Sequence, residues 1–168
     1  MDKRGTMEIS FGMIFSIIIV IFIIGISVYA ITTFLQLGKT TEISLFYQRF
    51  QETVDDVWSS ATTNKVISLS LPKSIELVCL GSLLTTGTNE YVSKMNVLKE
   101  YSSGFQQQNT NTFLYPPQKA GDFAFKKVDK IDVSSLNRGF DCFEVKNGVV
   151  KIRLSKSEFD SLVKIQHE

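Results

Sequence analysis

Two cysteines, Cys79 and Cys142, are the side chains whose types set up chemistry with each other. Each lies in a predicted strand. In an oxidising compartment they would close a loop of about 60 residues and add about 4 kcal/mol by restricting the unfolded chain. In a reducing one they would be two buried thiols, behaving as small hydrophobes. Both readings stand at this point. Metal sites bring their ligands in close pairs, so two distant cysteines are no zinc signature, and no metal or cofactor is expected. His167 is the only histidine and stands one residue from the end. A terminal residue is expected to fray, whereas a general base must be held against its proton donor. Without it no Ser/His/Asp set can be drawn, and no C-x-x-C, phosphate loop or G-x-G-x-x-G is present. Asp55-Asp56 and Asp129/Asp132 pair by spacing only, as solvated faces would. The expectation is that the chain is not an enzyme.

Charge excludes another class. Lys and Arg number 18 against 17 Asp and Glu in 168 residues. Lys126, Lys127 and Lys130 alternate with Asp129 and Asp132, so no basic patch forms and no nucleic-acid partner is expected. No N-x-[S/T] glycan acceptor occurs.

What positions these residues begins at Ile9. From there to Leu35 the chain carries no Asp, Glu, Lys or Arg. A hydrocarbon core of about 30 Å takes roughly 20 apolar residues as helix. A lone segment in lipid can satisfy its own backbone only as a helix, so residues 9–35 read as a transmembrane helix and the bilayer as its partner. Lys3 and Arg4 precede it and Lys39 follows. The positive-inside rule keeps residues 1–8 cytoplasmic and sends the bulk of the chain outside the cell membrane, as a single-pass protein. The run is too long for a secretory signal core of about 7–15 residues and lacks a clean cleavage site after it, so it reads as a retained anchor. Gly12 with Ser16, and Gly25 with Ser27, make narrow patches that suit helix self-association, although small residues are common in membrane helices generally.

Lys3-Arg4-Gly5, a few polar residues and then a long apolar helix resemble the class III, type IV pilin-like signal of archaeal surface proteins. The run RGTMEISFGMIFSI is also similar to the start of archaellins. The resemblance covers about the first 35 residues. It implies that a prepilin-type peptidase cuts after Gly5, leaving Thr6 as the new N-terminus, and that the helix is kept and packs into a filament core. Glu8 would then stand third in the mature chain, where bacterial type IV pilins carry a glutamate fifth. The chain also resembles small membrane-anchored surface proteins of archaea, a likeness that implies no activity.

Residues 36–61 place Ile43, Phe46, Phe50, Val54 and Val57 on one stripe, with Glu52, Asp55 and Asp56 off it, which predicts an amphipathic stalk helix. Thr40 or Thr41 is expected to cap it and Gly38 to kink the chain before it. Packing of the stripe in a core is the plainer expectation. The resemblance implies the same, since pilin heads pack on the second half of the first helix.

Residues 62–168 change to short alternating runs. Strands are predicted at 66–71, 75–80 and 112–115, one or two across 123–133, and a last one at 162–165, with a helix over 89–101 capped by Asn89. Residues 81–88 and the Gln/Asn-rich 102–111 read as loops. Asn147-Gly148 between alternating runs predicts a type I′ hairpin, because both turn residues need positive φ. Phe113, Tyr115, Phe123 and Phe125 are expected in the core, with an exposed aromatic patch as the other possibility. The fold expected is α+β, a small β-rich domain of six or seven strands, sandwich-like. Two functions follow as expectations: a pilin-like subunit or accessory component with a structural role, or an uncleaved anchored module that presents the domain to an extracellular partner.

Overall fold

The computed structural model describes residues 11–84, 91–102, 109–136 and 139–168. The chain divides into two compact units, one ending at Gly38 and the other spanning Lys39–Glu168.

Helix α1 runs from Phe11 to Ser59 without interruption. The expected fresh start at Thr40 or Thr41 is absent, and Gly38 has helical backbone. A glycine inside a helix costs only about 1 kcal/mol against alanine, which the hydrogen bonds on either side offset. In the first unit the large apolar side chains from Met13 to Leu35 are exposed, Phe34 by 75%.

In the second unit the rest of α1 packs on strands. Ile43, Phe46, Phe50, Val54 and Val57 are all buried and share one cluster with strand residues. Tyr47 lies beside them and donates its hydroxyl to the Phe123 carbonyl at 2.9 Å. Burial away from water pushes the Tyr47 hydroxyl pKa well up. The helix ends where Ser59, Ser60, Thr62 and Thr63 break the pattern. It has no basic residue in its last turn. Lys156, from across the fold, supplies the missing cation, donating to the carbonyls of Trp58 at 2.8 Å and Ser60 at 3.0 Å. Orphan carbonyls and the negative end of the helix dipole both favour that ammonium.

Eight strands follow among the described residues: β1 (Thr63–Ser70), β2 (Leu77–Gly81), β3 (Thr112–Tyr115), β4 (Phe125–Lys126), β5 (Ile131–Asp132), β6 (Phe140–Lys146), β7 (Val149–Lys156) and β8 (Val163–Gln166). Helix α2 (Val92–Ser102) lies between β2 and β3, and the single-turn α3 (Pro117–Ala120) follows β3. The order is β4-β3-β2-β6-β7-β8-β5, with β1 added on β7. All neighbours are antiparallel except β5 and β8, which run parallel. Strand β6 is the joint of this sheet. Its first residues pair with β2, and only Val145 and Lys146 pair with β7. Further along β7, the edge that β6 leaves is taken by β8.

A sandwich is therefore the wrong picture for this domain. The stripe of α1 does the work that a second sheet would do, covering Ile67, Val78, Leu114, Phe143, Ile152 and Val163 on one face. On the other face a smaller cluster gathers Cys79, Phe113, Phe140 and Cys142 with Met95 and Leu98 of α2. Strand β2 lies between them and is buried at every position. That is why it reads as the near-continuous apolar run Leu77-Val-Cys-Leu80.

The Asn147-Gly148 turn has φ of 54° and 79°, the left-handed pair of a type I′ hairpin. Of the one or two strands expected across 123–133, two form, each of two residues, with a break between. Over residues 127–130 the backbone bonds side-chain amides in place of a ladder. Asn111 donates to the Val128 carbonyl and accepts from its N–H, both at 2.8 Å, and Gln51 accepts from the Asp129 N–H at 2.8 Å. The predicted Asn89 cap, the loop tip before it and most of the Gln/Asn-rich segment lie outside the described residues.

Candidate functional site

Three features of the described residues bear on function, and the first is the apolar half of α1. It is long and apolar enough to cross a membrane. Residues 12–35 alone give about 36 Å of helix at 1.5 Å per residue, against a hydrocarbon core of about 30 Å. Three of its hydroxyls bond carbonyls of the helix itself. Ser27 donates to the Ile23 carbonyl at 2.8 Å, and Thr32 and Thr33 both donate to Tyr29 at 2.9 Å. Bonds of this kind let a polar side chain sit in a medium with no water to offer. Gly25 has nothing within 4 Å of where a Cβ would stand. The predicted cleavage residues Gly5 and Thr6, with Lys3, Arg4 and Glu8, lie outside the described residues.

The second feature is the cysteine pair. Cys79 and Cys142 are opposite one another in the β2–β6 ladder and are joined in a disulfide, with Cα atoms 3.9 Å apart. The Val145 N–H bonds the Glu76 carbonyl, so pairs two residues on alternate, and 79/142 falls at a non-hydrogen-bonded position. There the strands bring Cα atoms closest, the spacing a cross-strand sulfur bridge needs. Both cysteines are fully buried under α2. The bond is part of a core.

The third feature is an open groove of about 470 Å³ where β6 parts from β7. Tyr91, Phe143 and Val149 supply its apolar surface, and Lys146, Lys151, Glu144 and Glu168 its charged rim. His167 is held here and is not frayed. Its Nε2 lies 3.0 Å from an Asp141 carboxylate oxygen, and its ring stacks on Phe143 at 4.5 Å between centroids. Glu168 pairs with Lys151 at 3.0 Å. The expectation of a loose terminus fails because β8 pairs up to Gln166 and delivers the next two side chains to fixed partners on β6 and β7. Sequence spacing carried no signal of this meeting, since 26 residues and a strand exchange separate His167 from Asp141.

Three of the other candidate carboxylates have structural partners. Asp55 pairs with Lys130 at 3.0 Å and Asp129 with Lys127 at 2.8 Å, while Asp132 accepts from the Ser134 N–H in a short 3-10 turn. Phe113 is buried, and Tyr115, Phe123 and Phe125 pack partly buried against the core clusters. Among the described residues no three His, Cys, Asp or Glu side chains gather to hold a metal ion.

The fold defines an α+β protein whose first helix begins as an exposed apolar rod and ends inside a β-sheet core. No protein family, curated protein or solved structure matches this chain.

Proposed function

We propose that this chain is a single-pass, membrane-anchored surface protein, a pilin-like subunit or accessory component with a structural role in assembly. In this reading α1 crosses the bilayer with its N-terminus in the cytoplasm, and residues 62–168 form an extracytoplasmic head. A prepilin-type peptidase removes residues 1–5, and the apolar helix then packs against other copies. The observation that carries the reading is the division of one helix into two surfaces. Up to Leu35 its apolar side chains are all exposed, and from Ile43 its apolar stripe is wholly buried. Burial in lipid or against other helices would stabilise the first half by about 25 cal/mol per Å² of apolar surface. The second half carries the head through the amphipathic stalk.

The test is the mass of the mature N-terminus in its native membrane. A chain beginning at Thr6 is expected. A chain beginning at Met1 or Asp2 overturns the pilin-like reading. It would favour the alternative, an uncleaved anchored module, for which the open groove at His167 is the supporting observation.

A further inference from the structure

Strand β1 stands at the outside of the sheet and pairs only with β7. The Leu71 N–H bonds the Gly148 carbonyl in the same register, which fixes the alternation along this ladder. Lys65, Ile67 and Leu69 therefore turn their backbone groups to β7. Asn64, Val66, Ser68 and Ser70 turn theirs outward, where no backbone partner meets them among the described residues. The other outer strands, β4 and β5, are only two residues long. Strand β1 has 8 residues, runs in register without a bulge and contains no proline. A long, regular edge of this kind is a template for another strand.

The charges beside the edge are of one sign. Lys65 is exposed and has no carboxylate partner among the described residues. Arg153 pairs with Val66 across the ladder and so shares its face, opposite to that of Lys65. Its guanidinium reaches onto β1, donating to the Asn64 side-chain oxygen at 3.3 Å, and it too meets no carboxylate among the described residues. Strand β1 itself contains no Asp or Glu.

We propose that an extended, acidic segment of a partner protein adds to β1 as a further strand. Consecutive residues of a strand point to opposite faces, so two adjacent carboxylates meet Lys65 on one face and Arg153 on the other. A second copy of this chain fits worse, because its β1 brings another Lys65 and Arg153 to the seam and no carboxylate. One lysine in an otherwise neutral strand deters a like edge and admits an acidic one. This surface goes beyond the assembly reading and does not depend on N-terminal cleavage.

The test uses full-length protein, one copy per nanodisc, and a short N-acetylated Thr/Val peptide carrying two adjacent Asp. Amide exchange at Asn64, Val66, Ser68 and Ser70 should be fast without peptide and about tenfold slower with it, while Lys65, Ile67 and Leu69 stay protected throughout. Lys65→Glu should weaken binding about five-fold. Ser68→Pro removes an outward N–H without touching a bond to β7 and should abolish binding, with slow exchange at Ile67 and Leu69 verifying its fold. Outward amides already slow in single-copy discs, or unslowed at the highest peptide concentration, overturn the proposal. So does equal binding of a peptide with Lys in place of Asp, or slowing that needs only a second copy in the disc. The N-terminal mass is read separately, so this proposal and the pilin-like reading fail independently.

Discussion

Cys79 and Cys142 stand directly opposite each other on β2 and β6, at a ladder position where no backbone hydrogen bond separates them. The bond they make ties the strand that precedes α2 to the strand that opens the Asn147-Gly148 hairpin, 63 residues on. A closed loop of that size stabilises by about 4 kcal/mol in the chain-entropy model. Alkylation of the unreduced, denatured protein should find no free thiol. Replacing both cysteines by serine should lower the unfolding free energy by about 3–5 kcal/mol, the serines being left in an apolar cluster. Two free thiols in protein from native membranes would contradict the bond.

The buried stripe of α1 predicts a contrast between its two halves. Phe50→Ala removes a fully buried ring from the larger core cluster and should destabilise the head by about 3–5 kcal/mol in chemical unfolding. Ile21→Ala, in the exposed half, should leave head stability within about 0.5 kcal/mol. Equal losses from both substitutions would show that the first half is packed as well.

The far end of α1 predicts a smaller effect. Lys156→Met keeps the side-chain length and removes the ammonium that holds the Trp58 and Ser60 carbonyls. The expected loss is about 1 kcal/mol, with faster amide exchange over the last turn. Exchange unchanged at Val57 and Trp58 would show that water caps the helix equally well.

The Asp160–Lys164 ion pair, at the turn from β7 into β8, gives a pH window. Hydrogen bonds from Lys164 and then Ser157 hold the Asp160 carboxyl well below the usual carboxylate range, and Asp160 raises the Lys164 pKa in return. A lowered acid contributes stability above its unfolded value of about 3.9, lost as pH falls through the folded value. A raised base contributes below its unfolded value of about 10.4, lost as pH rises through the folded one. The loop should therefore keep its structure from about pH 4 to pH 10. Carbon-detected NMR titration of the Asp160 carboxyl checks it, and a midpoint near 4 would contradict the bonding described.

Much of this structure was legible in the chain itself. Periodicity and turn chemistry locate the stripe of α1, the strand at 112–115, a last strand at 162–165 that forms one residue later, and the Asn147-Gly148 hairpin, because each depends on neighbours in sequence. The sandwich expectation failed because strand counts say nothing about what covers the sheet, and here a helix does. The two strands within 123–133 are short, a detail that periodicity does not carry, because Asn111 and Gln51, distant in sequence, supply the hydrogen bonds of the break between them. His167 was read as a loose end for the same reason. Its partners Asp141 and Phe143 reach it only through the strand exchange at β6.

The central claim is that the exposed apolar half of α1 is held in a bilayer, and flotation tests it most directly. Full-length protein made in the presence of liposomes, without detergent, should rise with the lipid in a density gradient and stay there after alkaline carbonate treatment. Protein that stays at the bottom of the gradient as a soluble monomer would contradict the account.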